Sequence, residues 1–75
     1  KEDVLHQFLA ECAVISPNYS DTFTNIYLVY REWSEESGFG KGMSKTALGE
    51  RLGKRFQKIH TRTGYQYLGL KIADQ

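Results

Sequence analysis

The chain has little that could crosslink it, anchor it in a membrane or give it a reaction to catalyse. It holds one cysteine, Cys12, so no internal disulfide can form and stability must come from packing. That usage suits a reducing compartment. The longest apolar run is only a few residues, too short for a transmembrane helix. No signal-peptide pattern opens the sequence. With one cysteine and two distant histidines, His6 and His60, there is no metal-ligand spacing. A glycine-rich phosphate-binding loop, a nucleophile triad and a paired-carboxylate arrangement are all missing. These absences argue against a metal, a cofactor or a catalytic role for these residues. The chain opens at Lys1 rather than Met, which points to a fragment of a larger protein.

What is present is a single domain's worth of sequence. Seventy-five residues bury only about 60% of their unfolded surface, so the core must be efficient. Five Tyr, four Phe and one Trp supply enough buriable area to exclude disorder.

Charge is divided along the chain. From Gly38 to Gln75 there are eight Lys/Arg against two acids, a formal +6. From Lys1 to Ser37 there are two Lys/Arg against seven acids, a formal −5. The overall +1 conceals this split, which gives the molecule one attractive face for a polyanion.

The periodicity predicts three helices and a hairpin. Asp3 can cap a first helix whose inner face is Val4, Leu5, Phe8, Leu9 and Cys12. Ser16-Pro17-Asn18 should end it, because proline disfavours helix in the residue before it. Tyr19 to Phe23 reads as an extended link or an edge strand. Thr22 or Thr24 can cap a second helix with an aromatic face of Phe23, Ile26, Tyr27, Tyr30 and Trp33. Glu32, Glu35 and Glu36 fall near its C-terminal end, where the dipole disfavours them. Gly38, Gly40 and Gly42 mark a loop that Lys41 makes basic.

Ser44 is a good N-cap for a third helix, with Met43 and Leu48 forming a hydrophobic staple. Leu48, Leu52 and Phe56 should face inward, and Gly49 and Gly53 suggest close backbone approach, to another helix before a ligand. Gln57 to Thr61 and Tyr65 to Ile72 read as strands, with Leu68, Leu70 and Ile72 on one face and Arg62-Thr63-Gly64 as the turn. Two consecutive helices joined by a glycine turn and followed by a hairpin give an α+β, mainly α, fold: a winged helix-turn-helix.

In such a motif the second helix enters the major groove. Here that helix starts at Ser44, and Lys45, Thr46, Ala47 and Glu50 occupy its N-terminal and outward positions. Arg51, Lys54 and Arg55 follow toward phosphates or a guanine edge. Ser44 and the free N–H groups of the helix start suit a phosphate. Lys41 precedes them, and the hairpin adds Lys58, His60, Arg62 and Thr63. Glu50 could accept from a cytosine amino group, but pairing with Lys54 at i+4 is the simpler reading. An exposed Lys/Arg stripe is ordinarily a solvated face; the basic stripe, the basic wing and the acidic opposite half together favour DNA. Tyr27, Tyr30 and Trp33 read as core, Cys12 as a structural thiol, and Tyr65 and Tyr67 stay open between core and nucleic-acid contact.

The motifs carry a resemblance. Val4-Leu5-His6-Gln7-Phe8-Leu9, then Phe23-Thr24, Tyr27-x-x-Tyr30-Arg31-Glu32-Trp33, Leu48-Gly49-x-x-Leu52 and Thr61-Arg62-Thr63-Gly64-Tyr65-Gln66-Tyr67-Leu68-Gly69-Leu70 span nearly the whole chain. In this order they resemble the C-terminal domain of phage- and plasmid-type primase-helicases, a group related to the poxvirus primase-helicase. The resemblance implies a winged-helix DNA-binding domain downstream of a superfamily III helicase ATPase, recognising origin DNA or holding it near the motor. Lys45, Arg51, Lys54 and Arg55 match the basic recognition helix, and Arg62 with Gly64 matches the wing. Thr46, Ala47 and Glu50 depart from the arginine-rich helices of that group, which implies binding helped by avidity in a ring of subunits.

The expected partners are therefore DNA, duplex before single-stranded, the ATPase domain of the same chain and a ring of copies, in the cytoplasm of a bacterial host. A protein-docking winged helix and a small transcription regulator are the competing readings.

Overall fold

A computed structural model describes residues 4–73. The element order is α1 (Val4–Cys12), β1 (Ala13–Thr22), α2 (Phe23–Glu36), α3 (Lys45–Arg55), β2 (Gln57–Thr61) and β3 (Gly64–Ile72). The strands form one antiparallel sheet in the order β1-β3-β2. The described residues thus form a small α+β fold with three helices and a three-stranded sheet, an arrangement consistent with the expected winged helix. Among the described residues no helix is long and apolar enough to cross a membrane.

The amphipathic faces explain the core. Leu5, Phe8 and Leu9 of α1 meet Ile26, Tyr30 and Trp33 of α2, Leu48 and Leu52 of α3, and Tyr67 and Leu70 of β3. Phe8 stands edge-on to Tyr30 at 5.3 Å between ring centroids and tilted to Trp33 at 5.4 Å. Such pairs add about 0.5–1.5 kcal/mol each beyond the area they bury. The Trp33 indole N–H donates to the Glu11 carboxylate (2.7 Å), tying α2 to α1. Cys12 is half-buried against this core, and burial, helped by Glu11 and Glu36, pushes its thiol up, which keeps it protonated and inert.

Thr22 caps α2, accepting from the Asn25 N–H, and Ser44 caps α3, accepting from the Ala47 N–H. Met43 and Leu48, the two halves of the staple, both belong to the core cluster. The proposed cap at Asp3 lies outside the described residues.

Several expectations are corrected. The first helix ends at Cys12, four residues before Ser16, and Ala13–Thr22 is a ten-residue edge strand. Ala13, Val14 and Ile15 pair with Ile72, Lys71 and Leu70, and Ser20, Asp21 and Thr22 with Leu68, Tyr67 and Gln66. Pro17 sits in the irregularity between these two stretches, a place where an edge strand tolerates proline. The sheet is therefore larger than a lone hairpin, and the fold is less dominated by helix than expected.

Leu68, Leu70 and Ile72 do not share one buried face. Gly69, at φ +103°, interrupts the alternation, so Tyr67 and Leu70 are the buried pair of β3. A Cβ at Gly69 would lie 3.3 Å from the Phe56 ring, so this glycine lets Phe56 pack on the strand.

The two helical glycines also differ from expectation. Gly49 faces Tyr67 and Phe23 at ordinary contact distance, not a helix backbone, and Gly53 faces open space.

Gly42 closes the α2–α3 loop. Its φ of +70° is left-handed, and an added Cβ would overlap the Tyr30 hydroxyl and lie 2.6 Å from Ser34 Oγ. The adjacent Met43 N–H donates to the Tyr30 hydroxyl at 2.8 Å, which fixes where α3 begins.

Two substitutions separate these roles. Gly42→Ala should cost about 2–4 kcal/mol, from backbone strain and overlap. Gly53→Ala should add about 0.5–1 kcal/mol, because the position is helical and exposed with no neighbour to disturb. In thermal melts the first should lower Tm by roughly 10 °C or more and the second raise it by a few degrees; a destabilised Gly53→Ala would refute the open-space reading.

Candidate nucleic-acid interface

The interface is assembled by a one-residue connection. A single residue, Phe56, separates the end of α3 from the start of β2, and its N–H closes the helix onto the Leu52 carbonyl at 2.8 Å. Helix and hairpin are therefore held side by side. Tyr67 of β3 completes the join. It is 1% exposed, and its hydroxyl donates to the Gly49 carbonyl in mid-α3 at 3.1 Å.

All twelve candidate residues lie at the surface. Lys41 is in the glycine loop and Ser44 is the cap; Lys45, Thr46, Glu50, Arg51, Lys54 and Arg55 are exposed along α3; Lys58 and His60 are exposed on β2; Arg62 and Thr63 are exposed in the turn. Ala47 is half-buried. The Ser44 oxygen is committed to the Ala47 N–H, which leaves its proton to donate outward.

The fold brings these residues together in two grooves. One, of about 500 Å³, is lined by Leu5, Ala47, Glu50, Arg51, Lys54 and Arg55. The other, of about 320 Å³, lies between α3 and the hairpin and is lined by Phe23, Lys45, Thr46, Gly49, Glu50, Lys58, Tyr65 and Tyr67. Lys41, Ser44, His60, Arg62 and Thr63 line neither; the last two sit at the hairpin tip, where the Thr61 hydroxyl donates to the Gly64 carbonyl at 2.8 Å.

Aromatic rings hold several of the cations. Lys45 Nζ is 5.4 Å from the Tyr27 ring centroid, Arg55 Cζ is 5.8 Å from Phe56, and Lys58 Nζ is 4.5 Å from Tyr65. These contacts restrain long side chains without neutralising them. The expected Glu50–Lys54 pair does not form. Both side chains are exposed, and a pair worth about 0.3–0.5 kcal/mol on a helix surface does not hold two flexible chains in place. An ion pair does form on α2, Arg31–Glu35 at 3.9 Å, where Arg31 also donates to the Tyr27 hydroxyl.

Sequence reasoning left Tyr65 and Tyr67 open, and the structure separates them. Tyr65 is 47% exposed and tilted against His60 at 4.7 Å between ring centroids, whereas Tyr67 is core. The register carries the signal: His60 pairs with Tyr65 and Lys58 with Tyr67, so all four share one face of the sheet. Among the described residues, no group of three or more His, Cys, Asp or Glu could hold a metal ion.

Burial, with Tyr65 nearby, pushes the Tyr67 phenol above its ordinary value of 10.0. The neutral form is thus favoured in the folded state. Its stabilisation is complete below about pH 10 and is lost as pH rises through the raised value. Tyr67→Phe should cost about 1 kcal/mol at neutral pH through the lost hydrogen bond. Denaturant titrations from pH 7 to 11 should show the variant declining less steeply above pH 10; equal slopes would contradict this role.

No curated protein matches the chain. A family model described as Poxvirus D5 protein-like matches residues 1–70, which is nearly all of it. This agrees with the family read from the motifs and supports a replication primase-helicase context. The chain belongs to the Poxvirus D5 protein-like family.

Proposed function

We propose that this chain is a winged-helix DNA-binding module of a mobile-element replication primase-helicase, of phage or plasmid type. In this reading α3 enters the major groove, and the hairpin around Lys58 to Tyr65 lies along the flanking backbone. One observation carries it. From Ser44 to Gly64, six Lys/Arg and a single acid, Glu50, lie on two elements joined by one residue. Four of the seven acids of the first half, by contrast, lie on α1 and α2: Glu11, Glu32, Glu35 and Glu36. Electrostatic steering thus presents one face to a polyanion. The element order supports the same plan, a helix pair joined by a glycine-containing loop and followed by a hairpin.

The chemistry divides by position. Thr46 and Glu50 near the helix start reach base edges, and Lys45, Lys54, Arg55, Lys58 and Arg62 meet phosphates. With about five phosphate contacts, log affinity should fall against log salt with a slope of roughly −4 to −5. Single replacement of Lys54, Arg55 or Arg62 by Ala should weaken duplex binding across sequences and reduce that slope by about one each. Fluorescence anisotropy at several salt concentrations reads both effects. Salt-independent binding, or full affinity in all three variants, would contradict the reading. A ring of copies around the DNA would multiply each modest contact, and the ATPase and any primase activity belong elsewhere in the parent chain.

A second reading has its own observation. On the outer side of α2, Leu28 is 60% exposed in a shallow groove of about 440 Å³, flanked by Glu32 and Glu35. An exposed leucine ringed by charge suits a protein contact, with the parent's ATPase domain or a neighbouring copy as the partner. Leu28→Ala should then weaken association in a pull-down with that ATPase domain while leaving DNA affinity intact. Unchanged association would remove this second reading.

A further inference from the structure

The register of the hairpin makes one face of β2 and β3 continuous from the core to the tip. Tyr67 lies on that face under α3 and is 1% exposed. Two residues nearer the tip, on the same face, Tyr65 is 47% exposed. The face that anchors the helix therefore runs on as an uncovered aromatic platform. Its ring is held by His60 at 4.7 Å and by the Lys58 ammonium at 4.5 Å. An exposed tyrosine pinned by two neighbours has already lost most of the freedom that stacking would otherwise cost it.

The platform is one wall of the 320 Å³ groove, and Lys45, Thr46 and Glu50 stand on the wall opposite. Glu50 decides what can enter. Its carboxylate, unpaired with Lys54, repels a phosphate, whereas it can accept from the exocyclic amine of a nucleobase. The cations at the rim, Lys45 and Lys58, are placed for the phosphates on either side of such a base. An apolar floor, a stacking surface, an acceptor wall and a cationic rim are the requirements of an unpaired nucleotide. A base arriving on Tyr65 replaces the Lys58 ammonium on the ring. That exposed cation–π contact is weak, and the ammonium gains a phosphate in exchange.

We infer that the groove between α3 and the hairpin binds an unpaired nucleobase stacked on Tyr65, so that the preferred ligand is a duplex adjoining unpaired DNA. This rests on the DNA-binding reading above and adds to it a site and a class of DNA.

The test compares a flush-ended duplex with the same duplex carrying an unpaired arm, by anisotropy at fixed salt, for the wild-type chain, Tyr65→Ala, Tyr65→Phe and Lys54→Ala. The wild type should favour the armed duplex. Tyr65→Ala should weaken armed-duplex binding about 5- to 100-fold, the scale of one lost base–aromatic stack, and flush-duplex binding by much less. Tyr65→Phe should retain the preference, which also separates stacking from any fault in folding. Lys54→Ala should weaken both ligands alike. A fluorescent adenine analogue in the arm should be quenched by wild type and not by Tyr65→Ala. Equal binding of both ligands by wild type, or equal loss on both in Tyr65→Ala, would overturn the inference and leave the DNA-binding reading standing. No binding to either ligand would overturn both.

Discussion

The joining of hairpin to helix through Tyr67 is the contact on which the rest of this molecule depends. A buried ring places β3 against α3, and one hydroxyl bonded to the Gly49 carbonyl sets where along the helix the strand sits. Gly49 faces the ring at ordinary contact distance, and Phe23 packs beside it at 6.0 Å between ring centroids. Phe56, the single residue between α3 and β2, packs over Gly69 and closes the same joint from below. The positions of Lys58, His60 and Tyr65 relative to Lys45 and Glu50 follow from that joint. An exposed basic surface built on long side chains gains definition only from such rigid supports.

The second constraint is the Tyr30 hydroxyl, which receives the Met43 N–H and packs on Gly42. It determines the start of α3 just as Tyr67 determines its middle. Asp21 plays a comparable part at the sheet's outer edge. Its carboxylate accepts from the N–H groups of Thr22 and Ile72 and from the Asn25 side chain, so one residue links β1, the start of α2 and the end of β3. None of these three groups belongs to the cationic surface, yet each fixes an element that carries part of it.

Much of this was legible in the sequence, for identifiable reasons. Long amphipathic runs such as Phe23 to Trp33 leave little doubt about helix and face, and Thr22 and Ser44 are strong caps because each offers a short side-chain acceptor at the right offset. The hairpin was readable from its turn residues. β1 was not: Ala13-Val14-Ile15 continues the apolar pattern of α1, and helix and strand cannot be separated there by period alone. The β-branched pair Val14-Ile15 was the available signal, and Pro17 misled because it marks a strand irregularity rather than a helix stop. The phase of β3 was hidden as well. A backbone kink at Gly69 swaps which residues face inward, and only tertiary packing against Phe56 reveals it. At the interface the residue types were readable, but their grouping into two grooves depends on register and on the Tyr67 joint. Tyr65 and Tyr67, alike in sequence, part company because α3 shelters one and stops short of the other.

The central claim is that α3 and the hairpin form one DNA-facing surface. Backbone amide chemical-shift mapping of the isotopically labelled chain, titrated with duplex DNA carrying an unpaired arm, tests it most directly. The account predicts perturbations concentrated in Lys45–Arg55 and Lys58–Tyr65, with the outer side of α2 around Leu28 and Glu32 unmoved. Perturbations centred on α2, or none in α3 and the hairpin at saturating DNA, would contradict it.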